Sequence, residues 1–166
     1  MNSYPPAEQD VLVLGLGNIL LRDEGIGVRA LEGLLADYRL PSRVRALDGG
    51  TMGLDLLPYL HGASRLLILD ALQMGGPPGS LSRLVDGEIP AALALKLSVH
   101  QIGLQELLAA SRFQGTLPAQ MTLLGLEPAT IDWGLELSPS VSAGLGTLVQ
   151  AAVQELGAWG VAVEPR

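Results

Sequence analysis

Residues 11–16, Val-Leu-Val-Leu-Gly-Leu, form an unbroken apolar run closed by Gly17-Asn18. A run with no polar alternation leaves no face for water. It therefore predicts a strand covered on both sides, which is the setting of a parallel sheet. Parallel neighbours need long crossovers, and the sequence supplies them. Val28, Leu31, Leu35 and Tyr38 recur at three- and four-residue spacing, predicting a helix that starts near Asp23 or Glu24. Residues 43–47 read as a second strand stopped by Asp48-Gly49-Gly50, and Leu54, Leu57 and Leu60 suggest a helix after Thr51. Residues 65–70, Arg-Leu-Leu-Ile-Leu-Asp, are a third buried strand.

Beyond the loop Gly75-Gly76-Pro77-Pro78-Gly79, residues 80–85 alternate as in a less buried edge strand. Ser98 is placed to cap a helix facing the core through Leu104, Leu107 and Leu108, and residues 121–126 form another buried strand. Ser138 and Pro139 open a last helix, with Val141, Leu145, Leu148, Ala152 and Leu156 on its inner face and Gly157 at its end. The pattern is alternating α/β, a mainly parallel sheet covered on both sides. No repeat or linker divides the 166 residues, so one domain is expected over 1–166, with residues 1–10 as an N-terminal lead.

Composition narrows the function. A formal charge of −7 and a pI near 4.7 argue against binding nucleic-acid phosphates, which needs clustered Lys and Arg. The absence of cysteine removes disulfides, thiolate nucleophiles and sulfur-ligated metal sites. No basic leader precedes an apolar run and no stretch is long enough to span a membrane, so a cytoplasmic location is expected. Charged residues make up 16% of the chain against roughly 25% in an average soluble domain, and 35 residues are leucine. So few charges predict an apolar partner face or groove.

Glu24, Asp70 and His100 are the candidate site. Glu24 opens the helix after the first strand and Asp70 ends the third, so both belong to the carboxyl edge of a parallel sheet. His100 starts a helix leading into the strand at 121–126; if that strand is parallel, the helix begins on the same edge. Ligands in open α/β sheets bind in this crevice, and two carboxylates with one imidazole suit a divalent transition metal. The helix macrodipole favours Glu24 as carboxylate and His100 as neutral imidazole. Taken singly, each has a plainer reading: a helix-start acid, a turn aspartate, a capping histidine.

Other constellations are weaker. The Gly15-Leu16-Gly17 turn invites a dinucleotide reading, but Leu20 stands where the third glycine belongs and the next candidate ribose acid, Asp48, is too distant. His61, just after a helix, suits a C-terminal dipole partner, and Lys96 reads as a loop lysine. Neither a G-x-S-x-G elbow nor an H-E-x-x-H helix is present.

The stretch Val13-Leu14-Gly15-Leu16-Gly17-Asn18-Ile19-Leu20-Leu21-Arg22-Asp23-Glu24-Gly25-Ile26-Gly27-Val28 resembles the opening motif of the nickel-iron hydrogenase maturation proteases. Leu47-Asp48-Gly49-Gly50-Thr51 is similar to that family's D-G-G-T loop, Leu69-Asp70-Ala71 to its strand-end aspartate, and Ser98-Val99-His100-Gln101-Ile102-Gly103 to its S-x-H-Q-x-G segment. The likeness covers residues 10–163 in order and spacing.

The resemblance implies a three-layer α/β/α, phosphorylase/hydrolase-like fold whose five-stranded, mostly parallel sheet has one antiparallel strand, suiting residues 80–85. It implies an endopeptidase that removes the C-terminal extension of a hydrogenase large-subunit precursor after nickel insertion. Glu24, Asp70 and His100 would then reach nickel carried by the precursor, as metal ligands and catalytic groups, and another divalent metal could occupy the same site. Either the metal activates water or the scissile carbonyl while a carboxylate moves the proton, or it only positions the tail. Asp48 and Asp23 are further candidates for substrate contact, beside plainer turn and N-cap roles. The competing class is a noncatalytic metal- or nucleotide-binding escort. A chain without thiols would also not compete for a cysteine-bound nickel.

Overall fold

The structure is a computed structural model that describes residues 10–95 and 99–166; the side chains of residues 99 and 100 lie outside that description. The expectations placed on the N-terminal lead up to residue 9, on Lys96 and on the Ser98 cap lie outside the described residues. Strands β1 (Val11–Leu16), β3 (Val44–Gly50), β4 (Arg65–Ala71), β6 (Gln120–Leu126) and β5 (Leu81–Val85) form one sheet in the order β3-β1-β4-β6-β5. The first four are parallel; β5 is the edge strand expected from its alternating pattern, and it runs antiparallel as the family resemblance implies. Every residue of β1 is buried, which is why its sequence carries no alternation.

Helices α1 (Ile26–Asp37) and α5 (Pro139–Ala158) cover one face, packing on Val13, Leu67, Leu69 and Leu124. The short α2 (Leu57–Leu60) and α3 (Glu88–Leu93), with the longer α4 (Val99–Gln114), cover the other face over Leu12, Leu14, Leu66 and Ile68. Each buried leucine contributes about 1.5–3 kcal/mol, so the leucine-rich composition goes into two cores, one on each side of the sheet. A two-stranded ribbon, β2 (Tyr38–Arg39) with β7 (Glu164–Pro165), ties the end of α1 to the C-terminus.

Several boundaries differ from the sequence reading. Residues 22–25 make a 3-10 turn and α1 begins at Ile26, because Asp23 turns inward to bond a distant loop rather than cap its own helix. Leu34 is buried while Leu35 is 38% exposed, so the inner face is centred one residue earlier, and Tyr38 has already left the helix for β2. Strand β3 runs on through Asp48-Gly49-Gly50, which the sequence reading took as its stop. A register shift pairs Gly15 with Asp48 and Leu16 with Gly50, so the glycines form a bulge within the strand. The helix after Thr51 is a 3-10 turn (Gly53–Leu56) followed by α2, and it buries Leu56 and Leu60 while Leu54 stays exposed. Gly157 lies inside α5, which continues to Ala158. The helix α3 and the ribbon, too short for a periodic signal, escaped the sequence altogether.

The edge strand is stapled to the second layer. Arg83 of β5 donates two hydrogen bonds, each 2.9 Å, to the carboxylate of Glu155 on α5, which also accepts the Thr122 hydroxyl at 2.8 Å. The Arg83 guanidinium holds the Glu155 carboxyl below its ordinary range, overcoming the burial that pushes it up.

Gly27 sets how closely α1 approaches the sheet. A Cβ there would stand 2.0 Å from the Leu69 carbonyl oxygen and 2.3 Å from that of Leu16, at the carboxyl ends of β4 and β1. Gly27→Ala must therefore lift the helix, and we expect a loss of about 2–3 kcal/mol in urea unfolding. Gly146→Ala, in α5 with nothing within 4 Å of the added carbon, is expected to gain roughly 0.5–1 kcal/mol in the same measurement.

Candidate active site

The strand order places a crevice between β1 and β4. From β1 the chain leaves by α1 on one face toward β3; from β4 it proceeds across the other face toward β6. Such a switch point opens a cleft at the carboxyl ends of the two strands. Gly27 seats the start of α1 directly on those ends, so Glu24, three residues earlier in the 3-10 turn, stands at the crevice. Glu24 is 7% exposed.

Asp70 is the penultimate residue of β4 and is 1% exposed. Strand alternation sets it with Leu66 and Ile68 on the face covered by α4. One of its oxygens accepts the N–H of Ala71 at 2.7 Å. Helix α4 starts at this same edge. Its Gly103 packs against Gly53 in the turn after β3, where a Cβ on Gly103 would stand 3.2 Å from the Gly53 Cα. Only two facing glycines let the backbones come this near. The S-x-H-Q-x-G glycine is thus a contact point that anchors the first turns of α4 beside the D-G-G-T loop. His100 is the second residue of α4; its side chain lies outside the described atoms. Gln101 beside it is buried. Among the described residues no three His, Cys, Asp or Glu side chains gather as a metal cage.

Asp48 is exposed at the end of β3, and its Oδ1 accepts the Gly50 N–H at 3.0 Å, closing an Asx turn. It stands on the rim. Asp23 is placed differently: fully buried, it is not brought to the crevice surface. Its carboxylate accepts the Ala129 and Thr130 N–H groups at 2.9 and 3.0 Å, the Ser138 N–H at 2.7 Å and the Ser138 hydroxyl at 2.7 Å. The Ser138 hydroxyl therefore bonds Asp23 rather than capping α5. Burial pushes the Asp23 carboxyl up, but the donors from Ser138, Thr130 and Ala129 outweigh it and hold it below its usual value.

The loop after β6, residues 127–138, escaped sequence reasoning. Glu127 is buried and accepts the Met74 N–H at 2.6 Å and the Gly75 N–H at 3.3 Å, fixing the loop that follows Asp70. The signal was available, since any residue just after a buried parallel strand lies on the carboxyl edge. His61 ends α2, as the sequence suggested. A separate groove of about 690 Å³, lined by Asp86, Leu108, Phe113 and Met121 among others, lies at the opposite edge, near the end of α4 and the start of β6.

Comparison with known proteins agrees with this architecture. The profile of the hydrogenase maturation protease family matches residues 28–155. The hydrogenase expression/formation protein HupD of Rhodobacter capsulatus is 44% identical over 165 residues, covering 98% of this chain and 78% of its own. The hydrogenase 2 maturation protease of Escherichia coli K12 is 41% identical over 157 residues, 94% and 96% of the two chains. The structure of the hydrogenase maturating endopeptidase HybD from E. coli superposes with a TM-score of 0.90 at 41% identity, covering 94% of this chain and 97% of that one. The maturation protease HybD from Thermococcus kodakarensis follows with a TM-score of 0.73 at 30% identity over 87% and 97%.

The geometry around Asp23 yields a test of its role. Asp23→Asn turns one acceptor into a donor that must face at least one of the three N–H groups, and weakens the charge-assisted bonds at the other oxygen, so it should cost at least about 2 kcal/mol of unfolding free energy. The folded carboxyl titrates below its unfolded value near 3.8. The stability it supplies is therefore fully present above that pH and is lost as pH falls through the lower, folded value. Unfolding measured from pH 6 down to pH 2 should show this acid-dependent loss in the parent chain and a shallower one in Asp23→Asn.

Proposed function

Because this chain belongs to the hydrogenase maturation protease family, and is thus a peptide-bond-cleaving enzyme rather than a noncatalytic escort, we propose that it removes the C-terminal extension of a nickel-iron hydrogenase large-subunit precursor after nickel insertion. The observation that carries this reading is the pair of buried carboxylates, Glu24 and Asp70, at the switch-point crevice, with α4 starting at the same edge.

In this reading the nickel is part of the substrate. Glu24, Asp70 and His100 contact it through two hard oxygens and one imidazole nitrogen, a donor set suited to a borderline divalent ion. Three protein contacts leave the remaining positions to the precursor's own ligands, so a precursor without nickel lacks the feature that seats it. Cleavage is thereby coupled to metal loading, because binding energy is realised only with the loaded substrate. The scissile carbonyl is then either polarised by the substrate's metal or simply held next to a carboxylate that moves the proton from water. Asp48, exposed on the rim, is available for contact with the tail. Asp23 serves indirectly, by holding the loop beside Glu24. We place the reaction in the cytoplasm; no helix among the described residues is long and apolar enough to cross a membrane.

The test compares nickel-loaded with nickel-free precursor by mass spectrometry of the large subunit. Trimming is expected only with the loaded form, and equal trimming of both refutes the nickel requirement. Glu24→Gln, Asp70→Asn and His100→Ala are each expected to slow trimming by about a hundredfold or more, the loss of a metal contact worth several kcal/mol. Normal rates in folded variants would remove these residues from the site.

A further inference from the structure

Ile131, Trp133 and Leu135 are 50%, 79% and 61% exposed, three large apolar side chains on one short loop. Leu20, 48% exposed, directly precedes Leu21, whose isolated bridge to Gly134 joins the two segments. Exposed apolar groups in such density mark a contact surface. The loop is also held at both ends and in the middle. Asp23 binds residues 129, 130 and 138, and Gly134 exchanges main-chain hydrogen bonds of 2.9 Å with Leu20 and Arg22. An apolar ridge ordered before it meets a partner loses little entropy on docking.

Its electrostatics specify the partner. Asp132 and Glu136 are exposed on either side of Trp133 and Leu135, and Asp48 and Asp55 are exposed across the crevice. Among the described residues of the four loops at this edge (17–25, 49–56, 72–80 and 127–138), Arg22 is the one cation, and its Nε is committed to the Glu136 carbonyl at 3.1 Å. An acidic, apolar rim complements a segment that is apolar and positively charged. A Lys or Arg of such a segment can also lie over the indole of Trp133.

We propose that residues 131–136 are the substrate-docking ridge of this enzyme, with Trp133 as the anchor for an apolar, positively charged segment of the precursor. This rests on the proposed function. Asp23 is the positioning residue that couples the ridge to the reaction centre. It precedes Glu24 in the chain, so the segment gripped by Trp133 is held at a fixed distance from the crevice. Phe113, 94% exposed at the opposite edge, is as apolar but is not part of this ridge, and serves as the control.

The experiment measures KM and kcat for trimming of the nickel-loaded precursor, with thermal unfolding as a check on each variant. Trp133→Ala is expected to raise KM about tenfold or more, with the loss falling on KM rather than kcat. The double variant Asp132→Lys, Glu136→Lys is expected to raise KM and flatten its dependence on salt, while Phe113→Ala matches the parent. Unchanged KM in both Trp133→Ala and the double variant, or an equal rise in Phe113→Ala, overturns the ridge and leaves the protease reading standing. A parent chain that leaves the loaded precursor uncut overturns that reading and the ridge with it.

Discussion

The carboxylate of Asp23 is buried with no salt bridge to it among the described residues, and the carboxyl edge of the sheet is organised around that fact. A charge removed from water is tolerable only when donors replace its hydration. Here four donors from Ala129, Thr130 and Ser138 do so. Two elements far apart in sequence are joined as a result: the turn after β1 and the loop that leads into α5. Glu24, the next residue, stands at the crevice. Two adjacent acids thus have different surroundings, Asp23 tying the scaffold together and Glu24 standing at the crevice.

The close backbone approaches at the same edge complete the frame. Gly27 lets α1 rest on the ends of β1 and β4, and Gly103 lets α4 rest on the turn after β3. The motif glycines therefore fix distances between layers, and the motif residues Glu24, Asp70 and His100 lie on elements that meet at this edge. Glu127 plays the corresponding part for the loop that follows Asp70. The sparse charge of the chain is unevenly spent: cations such as Arg43 and Arg65 gather at the amino edge around Asp10, leaving acids and exposed apolar side chains to dominate the rim.

The layered α/β fold was legible because its signals are strong and local. The unbroken apolar stretch of β1, the run at 65–70 and the Ser138-Pro139 helix start each announce their element. The edge strand showed as alternation in residues 80–85, and its antiparallel direction came with the family resemblance. Strand ends also revealed Glu24 and Asp70, since parallel topology gives every carboxyl end the same address. What stayed hidden depends on contacts remote in sequence. Nothing near Asp23 announces that its partner is Ser138, 115 residues away. Nor does the Asp48-Gly49-Gly50 sequence, which reads as a stop, disclose that β1 pairs with it through a bulge. The exposure of Trp133 was equally unreadable, because a tryptophan in an irregular loop has no periodic pattern to place it.

The way the 127–138 loop is fastened has a consequence for diversification. Three of the four donors to Asp23 are main-chain N–H groups, which every residue except proline possesses. The anchor is therefore indifferent to most side chains in the loop, and the stretch between its attachment points can change without loosening its ends. The molecule separates a main-chain mount from the side chains it carries, so residues between 130 and 138, apart from Gly134 with its φ of 152°, can be exchanged without rebuilding that mount.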